Sequence, residues 1–298
     1  MLELPEKGCY LSAYHAEQLE QIHQKLKENN QSCRLCPTNC GVNRKEAKGV
    51  CMQSEKARLT NAVVHTGEEP PLIHGSGAGA VFFSGCSMKC CYCQNFAFSQ
   101  KNNGKDYCSW ELGEVFLDLQ KKGCSNLDLV TPTPHLPSVV EALVYAIPKG
   151  LTLPIVYNTS SYDNVEIIQL LEGIVDVYLA DIRYTDNEMG LRYSGVKDYW
   201  TQAQRVIREM YRQKGSKGLI IRHLVLPNGI SGTEKAMAFI AEELSPSVNV
   251  SLMSQYFPVY KAKEFSAINR KLTESEYSQS IEMMERYGIF NGWTQEFA

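Results

Sequence analysis

From about residue 61 onward, short apolar runs alternate with longer segments of helical periodicity. The apolar runs are rich in β-branched residues, which favours strands, whereas apolar residues three and four positions apart favour amphipathic helices. The predicted strands are Ala80–Ser84, Asn126–Thr131, Pro154–Asn158, Val175–Asp181, Leu219–Leu226 and Asn249–Met253. The predicted helices between them are Trp110–Lys122, Ser138–Ala146, Asn164–Glu172, Tyr199–Lys214 and Ser231–Leu244.

This alternation predicts an α/β fold with a parallel sheet and right-handed crossovers. Six strand–helix units fit an open, partial (β/α)6 barrel of the TIM type better than a closed eight-stranded barrel. A doubly wound sheet is the competing topology, and periodicity alone does not separate the two. In both topologies we expect functional residues at the carboxyl ends of the strands. Asp163 is a candidate N-cap for the helix predicted at Asn164–Glu172.

The segments that flank this core differ from it. Residues 1–60 contain an amphipathic helix, predicted at Glu17–Glu28, and then a polar, cysteine-rich stretch. Residues 261–298 contain one more helix, near Glu274–Tyr287, and a tail with two aromatic residues. The predicted organisation is therefore a small cysteine-rich extension (1–60), a core (61–260) and a C-terminal segment (261–298) that packs on the core.

Composition excludes some classes of protein. Of the 298 residues, 44% are hydrophobic, which is enough for a sizeable core. The 30 basic and 33 acidic residues give a net charge of −3, without the strong positive charge of a nucleic-acid-binding protein. The first residues lack the basic and apolar pattern of a secretory signal, and no apolar stretch is long enough to span a bilayer. We therefore expect a cytoplasmic protein with no membrane or nucleic-acid partner.

Eleven cysteines are present, and eight of them fall into two dense groups. Disulfides are rare in the reducing cytoplasm, so metal or redox chemistry is the better interpretation. In the central group, Cys86, Cys90 and Cys93 follow the first predicted strand with the spacing C-x₃-C-x₂-C. Three thiolates at this spacing can hold three irons of a cubane and leave the fourth iron open to a non-protein ligand.

Three alternatives compete with a cluster at the central group. They are a closed zinc site with Cys91 as the fourth ligand, a disulfide pair, and chance clustering. The position after a strand and the spacing favour the cluster. Cys91 is then expected to be a packed thiol.

The second group lies in the N-terminal extension, where Pro37 and Gly41 supply turns that would bring the thiols together. Its members are Cys33, Cys36, Cys40 and Cys51. Four thiolates suit a structural zinc ion or a second iron–sulfur cluster, and the sequence does not choose between them. The alternative is a loop of unmetallated thiols.

The C-x₃-C-x₂-C motif, with Tyr92 before its last cysteine, resembles that of the radical S-adenosylmethionine (SAM) superfamily. The string CRLCPTNCGVNRKEAKGVC resembles the N-terminal block of its pyruvate formate-lyase activating enzyme-like branch. The resemblance runs from about residue 30 to the C-terminus. It implies a [4Fe–4S] cluster on Cys86, Cys90 and Cys93 whose open iron binds SAM. Reduction then cleaves SAM to methionine and a 5′-deoxyadenosyl radical that abstracts hydrogen from a substrate.

The resemblance also implies residues that bind SAM. Tyr92 would lie near the adenine. Where many members carry Gly-Gly-Glu for the SAM amino group, this chain has Thr131 and Thr133, whose hydroxyls or carbonyls are candidate replacements. A proline-rich turn is the equal alternative there. Asn158, at the end of the third predicted strand, is a further candidate contact, although asparagine also caps helices.

Two later strands carry charged candidates. Asp181 and Arg183 stand where glycyl-radical activases carry Asp-x-Lys near the methionine end of SAM, and they are the candidate catalytic residues. The alternative is an internal salt bridge. On the next strand either Arg222 or His223, but not both, should face the interior. An inward arginine would suit the SAM carboxylate, or else would form a buried ion pair.

Three functions are compatible with the sequence. The first is a radical SAM oxidoreductase that takes one electron from a donor such as flavodoxin or ferredoxin. Its implied substrate is a glycine of a partner enzyme, as for a glycyl-radical activase. The second has the same chemistry with a small metabolite or another peptide as substrate. The third is a non-catalytic iron–sulfur or zinc redox sensor.

Overall fold

The computed structural model describes residues 2–297. Within this range nine strands form one sheet in the order β3-β1-β2-β4-β5-β6-β7-β8-β9. The strands are β1 (Ala57–His65), β2 (Ala78–Phe83), β3 (Lys105–Tyr107), β4 (Leu127–Val130), β5 (Ile155–Thr159), β6 (Val177–Asp181), β7 (Leu219–Leu224), β8 (Asn249–Met253) and β9 (Gly292–Thr294). Neighbours from β2 through β4 to β9 are parallel. β1 is antiparallel to both β2 and β3.

Helices follow most of the parallel strands. They are α1 (Tyr10–His15), α2 (Gln18–Glu28), α3 (Phe96–Ser99), α4 (Ser109–Lys121), α5 (Leu136–Ala146), α6 (Val165–Leu170), α7 (Asn187–Ser194), α8 (Tyr199–Lys214), α9 (Thr233–Phe239) and α10 (Glu274–Arg286). A π-helical turn at Ile240–Leu244 continues α9. The alternation of strand and helix confirms the α/β class and the mostly parallel sheet predicted from the sequence.

The six predicted strands correspond to β2 and to β4 through β8, whereas β1, β3 and β9 were not predicted. β1 contains Arg58, Thr60 and Asn61 among its apolar residues, and its second half is only partly buried. β3 and β9 have three residues each, which is too short for a hydrophobic period to appear. All three strands form by pairing with strands that lie elsewhere in the sequence, and a local sequence pattern does not show such pairing.

The hydrophobic core lies between the sheet and the helices that cover it. Residues 155–159 and 177–181 are buried throughout, as expected for central strands of a parallel sheet covered on both faces. The longest helix, α8, buries Ala203, Val206 and Met210 against the sheet and exposes its opposite face. Burial of these side chains stabilises the fold by about 25 cal/mol for each Å² of apolar surface removed from water.

The prediction that Asp163 caps the third helix is wrong. Helix α6 begins at Val165, and Asn164 occupies its N-cap position. The carboxylate of Asp163 is instead buried and accepts hydrogen bonds from the hydroxyls of Thr133 (2.6 Å), Tyr157 (3.0 Å) and Thr159 (2.6 Å). A buried carboxylate needs several hydrogen-bond donors. The three hydroxyls therefore stabilise Asp163 better in this position than the backbone amides at the start of α6 would.

The terminal segments make contacts with the core. Helix α2 packs against α5, and β1 runs through residue 60 to pair with β2. At the other end, β9 pairs with β8. The indole of Trp293 donates a hydrogen bond to Glu69, and Phe297 stacks on Tyr277. The division of the chain at residues 60 and 260 remains a prediction. Among residues 2–297 no helix is long and apolar enough to cross a membrane.

Candidate functional site

The central cysteines lie in a loop that begins at the carboxyl end of β2. Gly85 starts this loop with a φ of +76°, a left-handed conformation that glycine adopts without strain. A Cβ at this position would overlap the side-chain amide of Gln53 and the carbonyl oxygen of Cys51. Glycine is therefore required both for the turn and for the close approach of residues 51–53. Cys86 follows directly, so the turn sets where its thiol lies.

We expect Gly85→Ala to destabilise the protein by more than Gly173→Ala. Gly173 has a similar φ of +82° but nothing within 4 Å of its missing Cβ, so alanine there meets only the left-handed penalty of about 1–2 kcal/mol. Gly85→Ala adds the overlap with Cys51 and Gln53. Urea unfolding of the two variants measures the difference. Equal losses of unfolding free energy would show that residues 51–53 do not press on the loop.

Each of the three thiols at the central motif takes part in a hydrogen bond. The sulfur of Cys86 accepts from the amide of Met88 (3.4 Å), and that of Cys90 accepts from the hydroxyl of Ser194 (3.0 Å). The sulfur of Cys93 pairs with the hydroxyl of Ser99 at 3.1 Å. Donors aimed at sulfur stabilise thiolates, so this arrangement suits sulfurs that carry negative charge as cluster ligands.

The electrostatics of these thiols favour a cationic partner. Burial, together with the nearby Cys90 and Cys93, raises the pKa of Cys86 to about 12. Burial and Cys90 also raise the pKa of Cys93, whereas the positive charge of Arg183 lowers both values. The thiols are thus close enough to repel one another when ionised. A bound cation would offset that repulsion, as an iron–sulfur core does.

In neither cysteine group do the sulfurs surround a common point at which a single metal ion could bind. In residues 2–297 no three histidine, cysteine, aspartate or glutamate side chains are arranged so that they could hold one metal ion. For the central motif, the number of sulfurs, their burial and their hydrogen bonds fit a cluster with three protein ligands. Cys91 is also buried, and burial raises the pKa of its thiol to about 12.

A cavity lies beside the central motif at the carboxyl ends of β6, β7 and β8. It brings together five residues that the sequence nominated from separate segments: Tyr92, Cys93, Asp181, Arg183 and Arg222. Its other lining residues are Gln94, Asn95, Ile182, Leu224, Met253, Gln255 and Tyr256. Charged groups and a cysteine of the motif therefore share one cavity.

Asp181 lies between two arginines in this cavity. Its carboxylate accepts from Arg183 (2.6 Å) and from Arg222 Nε (2.8 Å), and Arg222 also donates to the amide oxygen of Asn158 (2.6 Å). Such ion pairs are the alternative to SAM contacts that the sequence left open for these charged residues. His223 points the other way, to the carbonyl of Ile182 and the hydroxyl of Thr233, so only Arg222 faces the cavity.

The aromatic and threonine candidates lie in different places. Tyr92 packs edge-to-face against Tyr184 and Tyr256, and it lines the cavity. Thr131 and Thr133 are not among the lining residues. Thr131 adopts a left-handed φ of +60°. The hydroxyl of Thr133 donates a hydrogen bond to the carboxylate of Asp163. Both threonines therefore shape the loop after β4.

Three carboxyl groups near the cavity were missed by sequence reasoning: Glu68, Glu69 and Asp128. Glu68 lies 3.6 Å from Arg222, and Glu69 accepts from Trp293. Burial and the nearby Glu68 hold the pKa of Asp128 well above its usual range, and burial raises the pKa of Glu69. The aspartate inside the apolar run Leu127–Val130 was the one signal in the sequence that could have revealed this group.

Two polar atoms in or near the cavity have no hydrogen-bond partner among residues 2–297. These are Arg183 Nε and Asp128 Oδ1, both buried. Most buried polar atoms in proteins are paired, so unpaired ones often mark a place where a ligand or water binds. The arginine nitrogen is a donor suited to a carboxylate, and the carboxyl oxygen can accept from an ammonium group.

Comparison with known proteins gives one family model and two relatives. Residues 73–195, which contain the central motif, match the model of a 4Fe–4S single cluster domain. An uncharacterized protein of Methanocaldococcus jannaschii, MJ0674, is 36% identical over 268 residues, which cover 87% of this chain and 75% of that protein. A second uncharacterized protein of that organism, MJ0808, is 26% identical over 91 residues, 26% of this chain and 27% of its own.

Two solved structures resemble the fold. A radical SAM methyltransferase from Sphaerobacter thermophilus matches with a TM-score of 0.51 and 12% identity, over 73% of this chain and 66% of that one. HydG, a maturase of the [FeFe]-hydrogenase, matches with a TM-score of 0.50 and 12% identity, over 70% and 48% of the two chains. This chain therefore spans less than two thirds of either structure. It belongs to the same family as MJ0674, and its fold is that of radical SAM enzymes.

Proposed function

We propose that this protein is a radical SAM enzyme that binds one [4Fe–4S] cluster through Cys86, Cys90 and Cys93. The observation that carries the proposal is the shared cavity. A cysteine of the motif, two arginines, a carboxylate and a tyrosine from three separate segments line it. A non-catalytic redox sensor would need the cysteines but would not need this set of charged groups at the strand ends.

Within this cavity each side chain has a role that its chemistry suits. Arg222 and Arg183 present guanidinium groups for a carboxylate, and Asp181 between them is an acceptor for an ammonium group. Together they would hold the amino acid end of SAM. Tyr92 would pack against the adenine, and Asn158 orients Arg222. Asp181 and Arg183 are therefore the residues proposed to orient the reacting group.

When bound, the cluster would supply the single electron that cleaves SAM into methionine and a 5′-deoxyadenosyl radical, which takes a hydrogen atom from the substrate. The electron would come from a protein donor such as flavodoxin or ferredoxin. A glycine of a partner enzyme is the substrate that the sequence resemblance implies. A small metabolite or another peptide is the alternative.

The first test is SAM cleavage. We expect the anaerobically reconstituted protein to contain four irons and four sulfides per central site, as a cubane does, and to release 5′-deoxyadenosine once reduced. Chromatography of the quenched reaction measures the product, with reduced flavodoxin and dithionite compared as electron sources. A protein that holds the cluster, is reduced, and never forms 5′-deoxyadenosine would contradict the proposal and favour the redox sensor.

The second test addresses the substrate. The reduced enzyme is incubated with SAM and candidate glycyl-radical proteins, and EPR spectra are recorded. A glycyl doublet on one of these proteins would support an activase. 5′-Deoxyadenosine without a doublet on any partner would support a small metabolite or another peptide as the hydrogen donor.

A further inference from the structure

The four N-terminal cysteines lie in residues 33–51, a segment of turns between α2 and β1. Cys33 and Cys51 are buried, Cys36 is partly buried and Cys40 is exposed. Backbone hydrogen bonds fold the segment back on itself, from Cys33 to Val42 (3.1 Å) and from Gly41 to Cys33 (3.0 Å). Such a segment has little apolar surface to bury, so it needs another source of stability.

A buried arginine lies among these sulfurs. Arg44 is 3% exposed, and its guanidinium donates to the sulfur of Cys33 (3.2 Å) and to the sulfur of Cys51 (3.3 Å). Its remaining hydrogen bonds reach the carbonyls of Ser54 and Pro134. Among residues 2–297 Arg44 forms no ion pair with an aspartate or glutamate side chain.

The contacts of Arg44 place a positive charge beside two cysteine sulfurs. Arginine stays protonated, and a buried cation without a counter-charge is costly. Among residues 2–297 the groups that accept from the guanidinium are these two sulfurs and the two backbone carbonyls. Metal-bound thiolates are negative, so a buried guanidinium that contacts two cysteine sulfurs suits a thiolate metal centre.

The other two cysteines lie close by. A Cβ on Gly49 would be 3.4 Å from the sulfurs of both Cys40 and Cys51, so these two sulfurs flank the same point. Burial, together with the nearby Cys51 and Cys33, raises the pKa of Cys36 to about 12, so Cys36 lies close to both of these thiols. The four thiols are therefore neighbours, although among residues 2–297 no three of them already surround one point at which a metal ion could bind.

We propose that Cys33, Cys36, Cys40 and Cys51 bind a second metal centre, with Arg44 as its buried counter-charge. The ligand chemistry is a tetrathiolate, which either a zinc ion or an iron–sulfur cluster accepts. Either centre leaves a net negative charge on four thiolates, which a guanidinium offsets.

The position of this centre gives it a structural role. The carbonyl of Cys51 and the side chain of Gln53 press on Gly85, which directly precedes Cys86. Arg44 also holds Pro134 in the loop after β4, and His135 in that loop bonds to the carbonyl of Ser84 at 2.8 Å. A metal that orders residues 33–51 would therefore brace the loop of the central motif from two sides.

The decisive experiment separates the two cysteine groups. The variant with Cys86, Cys90 and Cys93 all replaced by alanine is purified anaerobically, and its metal and sulfide contents are measured, as isolated and after reconstitution with zinc or with iron and sulfide. We expect one zinc per chain without sulfide, or iron with sulfide. Metal at the background level of a variant that lacks all seven cysteines would overturn the proposal. Because the central motif is absent, this result does not depend on SAM cleavage.

A second variant keeps the test valid if the triple variant does not fold. Cys40 is exposed, so Cys40→Ser alters no packing. We expect it to lose the N-terminal metal to a chelator at least tenfold more readily than the wild type does. Cys108→Ser is the matched control, since Cys108 lies at the start of α4, outside both groups. Equal metal retention in wild type, Cys40→Ser and Cys108→Ser would also overturn the proposal.

Discussion

Cys90→Ala is expected to abolish SAM cleavage and to remove the central cluster, while the protein still folds. The sulfur of Cys90 accepts a hydrogen bond from Ser194, and the side chain is only 4% exposed. Loss of a residue that merely supports a ligand lowers metal affinity roughly 10–100-fold, so loss of a ligand should cost more. The cavity left by one sulfur costs about 1 kcal/mol of folding stability, which a domain of this size tolerates.

The matched control for this variant is Cys91→Ala. Cys91 is adjacent and 5% exposed, so its removal creates a cavity of the same size. We expect Cys91→Ala to keep both iron and 5′-deoxyadenosine formation. Iron and sulfide content, together with product formation, are measured for both variants. If Cys91→Ala lost the cluster as completely as Cys90→Ala, the assignment of ligands would be wrong, and a closed four-cysteine site would become the better interpretation.

Arg222→Met is expected to reduce folding stability by about 3–5 kcal/mol, the usual cost of removing one partner from a buried ion pair. Arg222 is 17% exposed at its side chain and neutralises Asp181 directly, with Glu68 3.6 Å away. Without the guanidinium, Asp181 keeps only its pairing with Arg183, and Glu68 loses its contact with Arg222. We also expect the variant to lose SAM binding, since Arg222 lines the cavity.

Arg286→Met is the matched control for this prediction. Its ion pair with Glu234 has the same chemistry at 3.0 Å, but the two side chains are 60% and 54% exposed. Exposed pairs contribute about 0–1 kcal/mol, so this change should barely alter stability. Urea unfolding at pH 7 measures both. Similar unfolding free energies for the two variants would mean that the charges around Arg222 are not buried as the structure indicates.

Much of the fold follows from local patterns. The six parallel strands were predicted because each is a short apolar run between turn residues, and burial on both faces favours such runs. β1 was missed because polar residues interrupt it, and β3 and β9 because each has only three residues. Asp163 was misassigned because its three hydroxyl partners come from separate parts of the chain.

Some features of the candidate site also follow from the local sequence, whereas others depend on tertiary contacts. The strand alternation that put only one of Arg222 and His223 inside follows from the period of a β-strand, which is local. The carboxyl groups of Glu68 and Asp128 were missed because their contact with each other and with Arg222 depends on how β1, β4 and β7 come together. Thr131 and Thr133 follow a strand as predicted, yet neither of them lines the cavity.

The sequence by itself determined that three thiols follow the first parallel strand at a spacing suited to a cubane, because the reach of a short loop is set by covalent geometry. It also determined the strand–helix alternation, because hydrophobic burial imposes a period on each element. Only the tertiary structure decided which charges meet: that Asp181 lies between two arginines, and that Arg44 lies between Cys33 and Cys51. Those contacts join distant positions, and the cost of burying a charge selects them only when the whole chain is folded.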